Sequence, residues 1–377
     1  SSMTMTTPDP LPIIETVDDI GRLVRAGFTD WARLGDVRVG REGDLLMFSY
    51  TPPAQYAGRW NAFERLSRGL ILHATTGQVI ARPFDKFFNW GEGGRTSDAP
   101  LVSVMEKVDG SLIILYHHGG RWRAATRGAF GSEQAQWAQG QVDGLPGLAG
   151  VAAHWTLLAE AVYPANRIVI DYAGREGLVL LAMRRRDTGD YADEATLAAT
   201  AAAVGLPRPA TYTHLDSLDG IERALAGMSA NEEGFVALFA DGRRFKFKSA
   251  AYLELHKLVF GLSWRAALAA VRDGQVAAIR AIVPEELRAE FEGWVAEIEA
   301  RLMAERAAVA AALAEARAAG LIDAAGQTPD RKAFAQWAAA HHPQRRAYLF
   351  AALDGKPLEP ILFRVAFRDV AGTEGAG

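Results

Sequence analysis

The chain has 377 residues, 49% hydrophobic and 23% charged, with a formal net charge of −4 and no cysteine. That balance fits folded domains rather than a disordered chain, and the missing thiols exclude disulfides and thiolate metal sites. No run reaches the eighteen or so uncharged apolar residues of a spanning helix and no secretory signal is read at the start, so a cytoplasmic protein without a membrane partner is expected.

Up to residue 250, short apolar runs alternate with polar turns. Strands are expected at Asp44–Tyr50, Gly69–His73, Ser111–His117, Arg121–Thr126, Thr156–Val162, Gly177–Met183, Gly234–Phe239 and Arg243–Lys248, with helices near Glu133–Gln139 and Glu194–Val204. Ala240-Asp241-Gly242 separates the last two strands, and its Asp-Gly step supplies the positive φ that a tight hairpin needs. This mixture reads as α+β with largely antiparallel sheets. From Ala251 onward the texture turns helical. Pro284 opens a long helix to about Ala319, with Gly320 as its stop. Leu287, Phe291, Val295, Ile298 and Leu302 recur at threes and fours, so one face is buried. A further helix is expected from Thr328 through Ala340, and Pro360–Phe367 reads as a strand-like run. Two domains follow, 1–250 and an all-helical 251–377.

The chemical centre is Lys107-Val108-Asp109-Gly110-Ser111, between the apolar segment Leu101–Met105 and a strand. A lysine at a strand end, followed by Asp and a flexible Gly, can aim its amine into a pocket. To attack phosphorus that amine has to lose its proton, which free lysine retains near neutrality. Cations should therefore converge on Lys107, where they would also bind phosphates. The bland alternative is a surface lysine beside an Asp-Gly turn. Farther on, Phe245-Lys246-Phe247-Lys248 alternates with period two, placing both lysines on one strand face and both phenylalanines on the other.

Lys107-Val-Asp-Gly resembles the nucleotidyl-lysine signature of covalent nucleotidyltransferases, and from Leu45 to Lys257 the chain resembles phage-type RNA ligase 1. The blocks carrying the resemblance are Ser67-Arg68-Gly69, Pro83-Phe-Asp-Lys86-Phe-Phe-Asn89, Thr126-Arg127-Gly128, Thr156-Leu-Leu-Ala-Glu160 with Pro164–Tyr172, Glu232-Glu233-Gly234 and Lys246-Phe-Lys248. The resemblance implies ATP as substrate, with AMP stored on Lys107, and Asp109 and Gly110 within the nucleotide site. It implies that Arg68 and Lys86 hold the β and γ phosphates, and that Glu160 accepts hydrogen bonds from the ribose. It further implies that Glu233 serves Mg²⁺ or Mn²⁺ through a bound water, while Lys246 and Lys248 meet the α phosphate. Arg127, where many members carry lysine, becomes a secondary phosphate or RNA contact. Ala159 and Ala161 flank Glu160 where the family usually has an aromatic residue.

The implied partner is RNA with a 5′-phosphate and a 3′-hydroxyl, cleaved tRNA included, acted on by a monomer. DNA ligases and capping enzymes share the lysine signature but follow it with a small β-barrel, and the helical texture after Lys248 favours RNA. A non-catalytic RNA-binding protein on a decayed core would lack a core motif, and none is missing. The basic runs Arg331-Lys332 and His341-His342-Pro343-Gln344-Arg345-Arg346 could contact an RNA backbone, but solvated helix faces are favoured.

Overall fold

The computed structural model describes residues 10–162, 176–230, 232–283 and 285–370. The Pro164–Tyr172 segment and Pro284 lie outside the described residues. Compactness divides the chain into units Ser1–Phe260 and Gly261–Gly377, so the helix Ala250–Phe260 belongs with the first.

Twelve strands are described in the first unit. They are β1 (Val37–Glu42), β2 (Leu45–Tyr50), β3 (Arg68–His73), β4 (Val79–Ala81), β5 (Phe88–Asn89), β6 (Leu101–Glu106), β7 (Ser111–His118), β8 (Arg121–Thr126), β9 (Trp155–Val162), β10 (Gly177–Arg185), β11 (Gly234–Phe239) and β12 (Arg244–Lys248). They form three four-stranded sheets, ordered β1-β2-β3-β4, β10-β9-β7-β8 and β5-β12-β11-β6. Every named pairing is antiparallel except the short β5–β12 pair. With its helices, the chain is α+β.

Period-two patterning gives each sheet its packing partners. The β1–β4 sheet presents Leu70, Leu72 and Phe48 to the helix Val17–Arg25, through Val17, Ile20 and Val24. Its opposite face, with Leu45, Met47 and Ile71, meets Ile114, Tyr116 and Leu158 of the β7–β10 sheet. That second sheet turns Ile113, Leu115, Leu157 and Leu180 to the helices Glu133–Asp143 and Glu194–Val204. Both helices start on a side-chain cap: Ser132 accepts from Ala135 N at 3.2 Å and Asp193 from Thr196 N at 2.7 Å. The third sheet buries Phe235, Ala237, Phe245 and Phe247 against Ile221 and Leu215. Its hairpin turns at Gly242, with φ +85°.

In the second unit the helix Glu285–Ala318 buries Leu287, Phe291, Val295, Ile298 and Leu302 in one stripe. The region Pro360–Phe367 corrects the sequence expectation. It is helical over Glu359–Ala366, because Pro360 is tolerated in a first helical turn and Leu362, Phe363, Val365 and Ala366 all bury on one side. A short apolar run does not distinguish strand from helix by periodicity.

Candidate active site

The site is built on neighbouring rows of β6, β11 and β12. Lys107, one residue past β6, donates its backbone N–H to Gly234 O at 2.9 Å. Gly234 pairs with Lys248 and Val236 with Lys246. Residues directly opposite in antiparallel strands share a face, so Lys107 and Lys248 flank Gly234 and Lys246 follows two positions on. Gly234 leaves that gap open: a Cβ there would lie 1.8 Å from Phe247 O. On the reverse face Trp90 stacks on Phe239 and Phe247 with ring centroids 5.4 and 5.6 Å apart, which holds the lysine face outward from the core.

Glu233, 2% exposed, forms an ion pair with the Lys107 amine. The turn carrying it is pinned to the end of β12, since Ser249 N donates to Glu233 O and Ser249 Oγ to Glu232 O, both at 2.8 Å. Glu232 itself is exposed and accepts from Ser229. The sequence expectation surrounds Lys107 with cations and two acidic side chains, and Glu233 is one of those acidic side chains.

Glu160 lies on β9 opposite Leu112 and Val179, beside the apolar group Val108, Val162 and Val179. Enclosure pushes its carboxyl up to about 8. Lys107 opposes the rise, Glu233 and Asp109 add to it, and Arg68 opposes it more weakly. Five predicted residues thus share one electrostatic neighbourhood. Gly110 brings the Lys107–Ser111 turn onto β9, for a Cβ on it would lie 2.2 Å from Ala161 O and 3.3 Å from Glu160 Cγ.

The remaining cations are organised by aromatic rings. The Arg68 guanidinium and the Lys246 amine both lie 5.7 Å from the centre of Phe87, and among the described residues Arg68 Nη1 is buried with no hydrogen-bond partner. Lys86, 7% exposed, sits 5.1 Å from the ring of Trp60, 5.5 Å from Phe88 and 5.9 Å from Tyr50. Arg127 lies over Tyr50 at 5.2 Å and donates to its hydroxyl, and it lines a cleft of about 200 Å³ with Arg68 and Tyr50. Tyr50 and Trp60 escape the sequence reading. Trp60 carries one trace of its role, a left-handed φ of +47°, which motif spacing does not reveal.

The donor set suits a nucleotide and a hard cation. Arg68 Nη1 awaits an acceptor, and phosphate oxygens match a guanidinium fork. Mg²⁺ takes oxygen ligands, keeps several waters and needs only one or two carboxylates beside substrate phosphates. Glu233 meets that need, although among the described residues no group of three or more acidic or histidine side chains is placed to hold a metal ion. In the second unit two arginines of the basic runs are ion-paired, Arg331 with Asp354 at 2.9 Å and Arg345 with Glu305 at 2.5 Å, and His342 Nε2 lies 3.2 Å from a Glu315 carboxylate oxygen.

Comparison with known proteins gives a family-model match and several curated relatives. Residues 66–252 match the model described as RNA ligase. The chain is 31% identical over 209 residues to RNA ligase 1 of Bacteriophage TS2126, covering 49% of each chain. It is 32% identical over 221 residues to the "Putative bifunctional polynucleotide kinase/RNA ligase" of Autographa californica nuclear polyhedrosis virus, covering 50% of this chain and 30% of that one. It is 30% identical over 241 residues to the "Putative RNA ligase" of Thermovibrio ammonificans, covering 58% of this chain and 60% of the relative. The chain therefore spans less than two thirds of the length of these relatives.

Proposed function

We propose, from the match of residues 66–252 to the RNA ligase model, that this chain is an ATP-dependent RNA ligase working through AMP bound covalently to Lys107. The observation that carries the reading is the Lys107 amine paired to Glu233 beside the Lys246–Lys248 row, with Glu160 in the same neighbourhood.

In the first step Lys107 Nζ attacks the α phosphorus of ATP. The P–N bond forms as the bond to the β-phosphate oxygen breaks, and pyrophosphate leaves. The amine must first part from Glu233 and give up a proton. Arg68 and Lys86 hold the departing phosphates, while Lys246 and Lys248 offset charge growing on the nonbridging oxygens. Glu160, its carboxyl pushed up to about 8 by burial, can donate as well as accept at the ribose hydroxyls. A divalent ion at Glu233 would supply positive charge against phosphate oxygens. The second step moves AMP to an RNA 5′-phosphate, and the third joins a 3′-hydroxyl to that activated end with release of AMP. The side chains position and neutralise; proximity carries much of the rate.

Lys107→Ala should abolish the labelled protein–AMP adduct formed with α-labelled ATP. Persistence of the adduct would show that another group is the nucleophile. Sealing single-stranded RNA, nicked duplex and cleaved tRNA in parallel tests the further proposal of a role in tRNA repair.

A further inference from the structure

A cavity of about 400 Å³ lies beside β12, sharing Lys86, Phe87 and Phe88 with the site described above. Arg65, Arg95, Arg184, Arg243 and Arg244 line it, and Asp85 is the one acidic side chain on its wall. Asp85 is engaged by Arg184 at 2.9 Å, and Arg184 also donates to Pro83 O and Gly189 O, both at 2.8 Å. Arg243, at the exposed rim, donates to Thr96 O at 2.8 Å.

Arg244 and Arg95 are held differently. The Arg244 guanidinium lies 4.0 Å from the centre of Tyr191 and 5.3 Å from Phe84, and that of Arg95 lies 4.0 Å from Phe88. Among the described residues neither has a carboxylate at ion-pairing distance. Burial holds Arg244 below the ordinary guanidinium value, and the Arg184 charge depresses it further against the pull of Tyr191 and Asp85. A largely enclosed cation short of counter-charge is costly unless an anion joins it. Arg244 also shares its strand face with Lys246 and Lys248, so the cavity continues the cation row of β12 at a spacing of roughly 6.6 Å.

We propose that this cavity receives a backbone phosphate of the single-stranded RNA substrate. The proposal deepens the ligase reading and rests on it. Arg68, Lys86, Lys246 and Lys248 already provide for the phosphates of ATP, and this cavity adjoins them at Lys86 while adding five arginines of its own. Its mouth is open at exposed Arg65 and Arg243, as a passing chain requires. A basic groove with aromatic platforms is also how single strands are held without regard to sequence.

The test is binding of a labelled 5′-phosphorylated single-stranded RNA over a range of salt concentrations, to the wild type, to Arg244→Gln and to the rim double variant Arg95→Ala with Arg243→Ala. Affinity should drop at least about fivefold for each variant, and the log–log salt slope should become shallower by about 0.7 for each phosphate no longer neutralised. Circular dichroism checks folding, and the rim variant carries the test if Arg244→Gln does not fold. Unchanged affinity and slope in the folded variants overturn the proposal while leaving the ligase reading intact. Variants that lose pyrophosphate affinity but keep RNA affinity assign the cavity to free phosphate and overturn it too. A wild type that forms the lysine adduct yet binds no RNA sinks the RNA reading and, with it, this inference.

Discussion

Glu160 retains its proton to about pH 8 in the folded chain, against an ordinary value of 4.5. Between those values the folded state binds a proton that the unfolded state has released, so stability falls as pH rises through this window. The contribution is fully present below the unfolded value and gone above the folded one. Glu160→Gln, with no proton to lose, should show a flatter stability–pH profile and exceed the wild type above about pH 8. Denaturation midpoints of both proteins across the window check this, and parallel profiles would mean that Glu160 ionises normally. Little of this is legible in the sequence. A lone Glu between Ala159 and Ala161 invites a partner, but its charge is set first by burial and then by Lys107, Glu233, Asp109 and Arg68, all of which depend on residues elsewhere along the chain.

Among the elements, the β11–β12 hairpin is the most readable. Asp241-Gly242 announces the turn, and the Phe245–Lys248 alternation announces which face is buried, because both are local rules of strand geometry. What the pattern does not convey is that Lys107 completes the row across β11, since register between distant strands is set by the whole sheet. Gly234 is the element on which that row depends. Gly234→Ala places a methyl group against Phe247 O and should cost about 2 kcal/mol or more, lowering the melting temperature by about 4–8 °C. It should reduce adduct yield as well, by forcing Lys107 and Lys248 apart. Unaltered melting and adduct yield would show that the strands accommodate the methyl group freely. The opposite failure occurs at Pro360–Phe367, where a short apolar run fits either period and tertiary burial decides for helix.

At the scale of the molecule, the change of texture near residue 250 is visible as composition, while compactness extends the first unit through Phe260. Every residue assigned to adenylation lies in that unit. A chain ending at Phe260 is therefore expected to fold and to charge itself with AMP, while its choice among RNA ends changes. A folded truncation that forms no adduct would bring the helical unit into the chemistry. The ion pair between Lys107 and Glu233 reaches across more than a hundred residues of sequence. Neither partner can find the other until the strands bearing them lie side by side, and pairings of such long range form late in folding. Under the proposed ligase reading, a polypeptide still emerging from the ribosome, with β11 and β12 not yet made, lacks Glu233, Lys246 and Lys248 beside Lys107 and should leave ATP untouched until the first unit is complete.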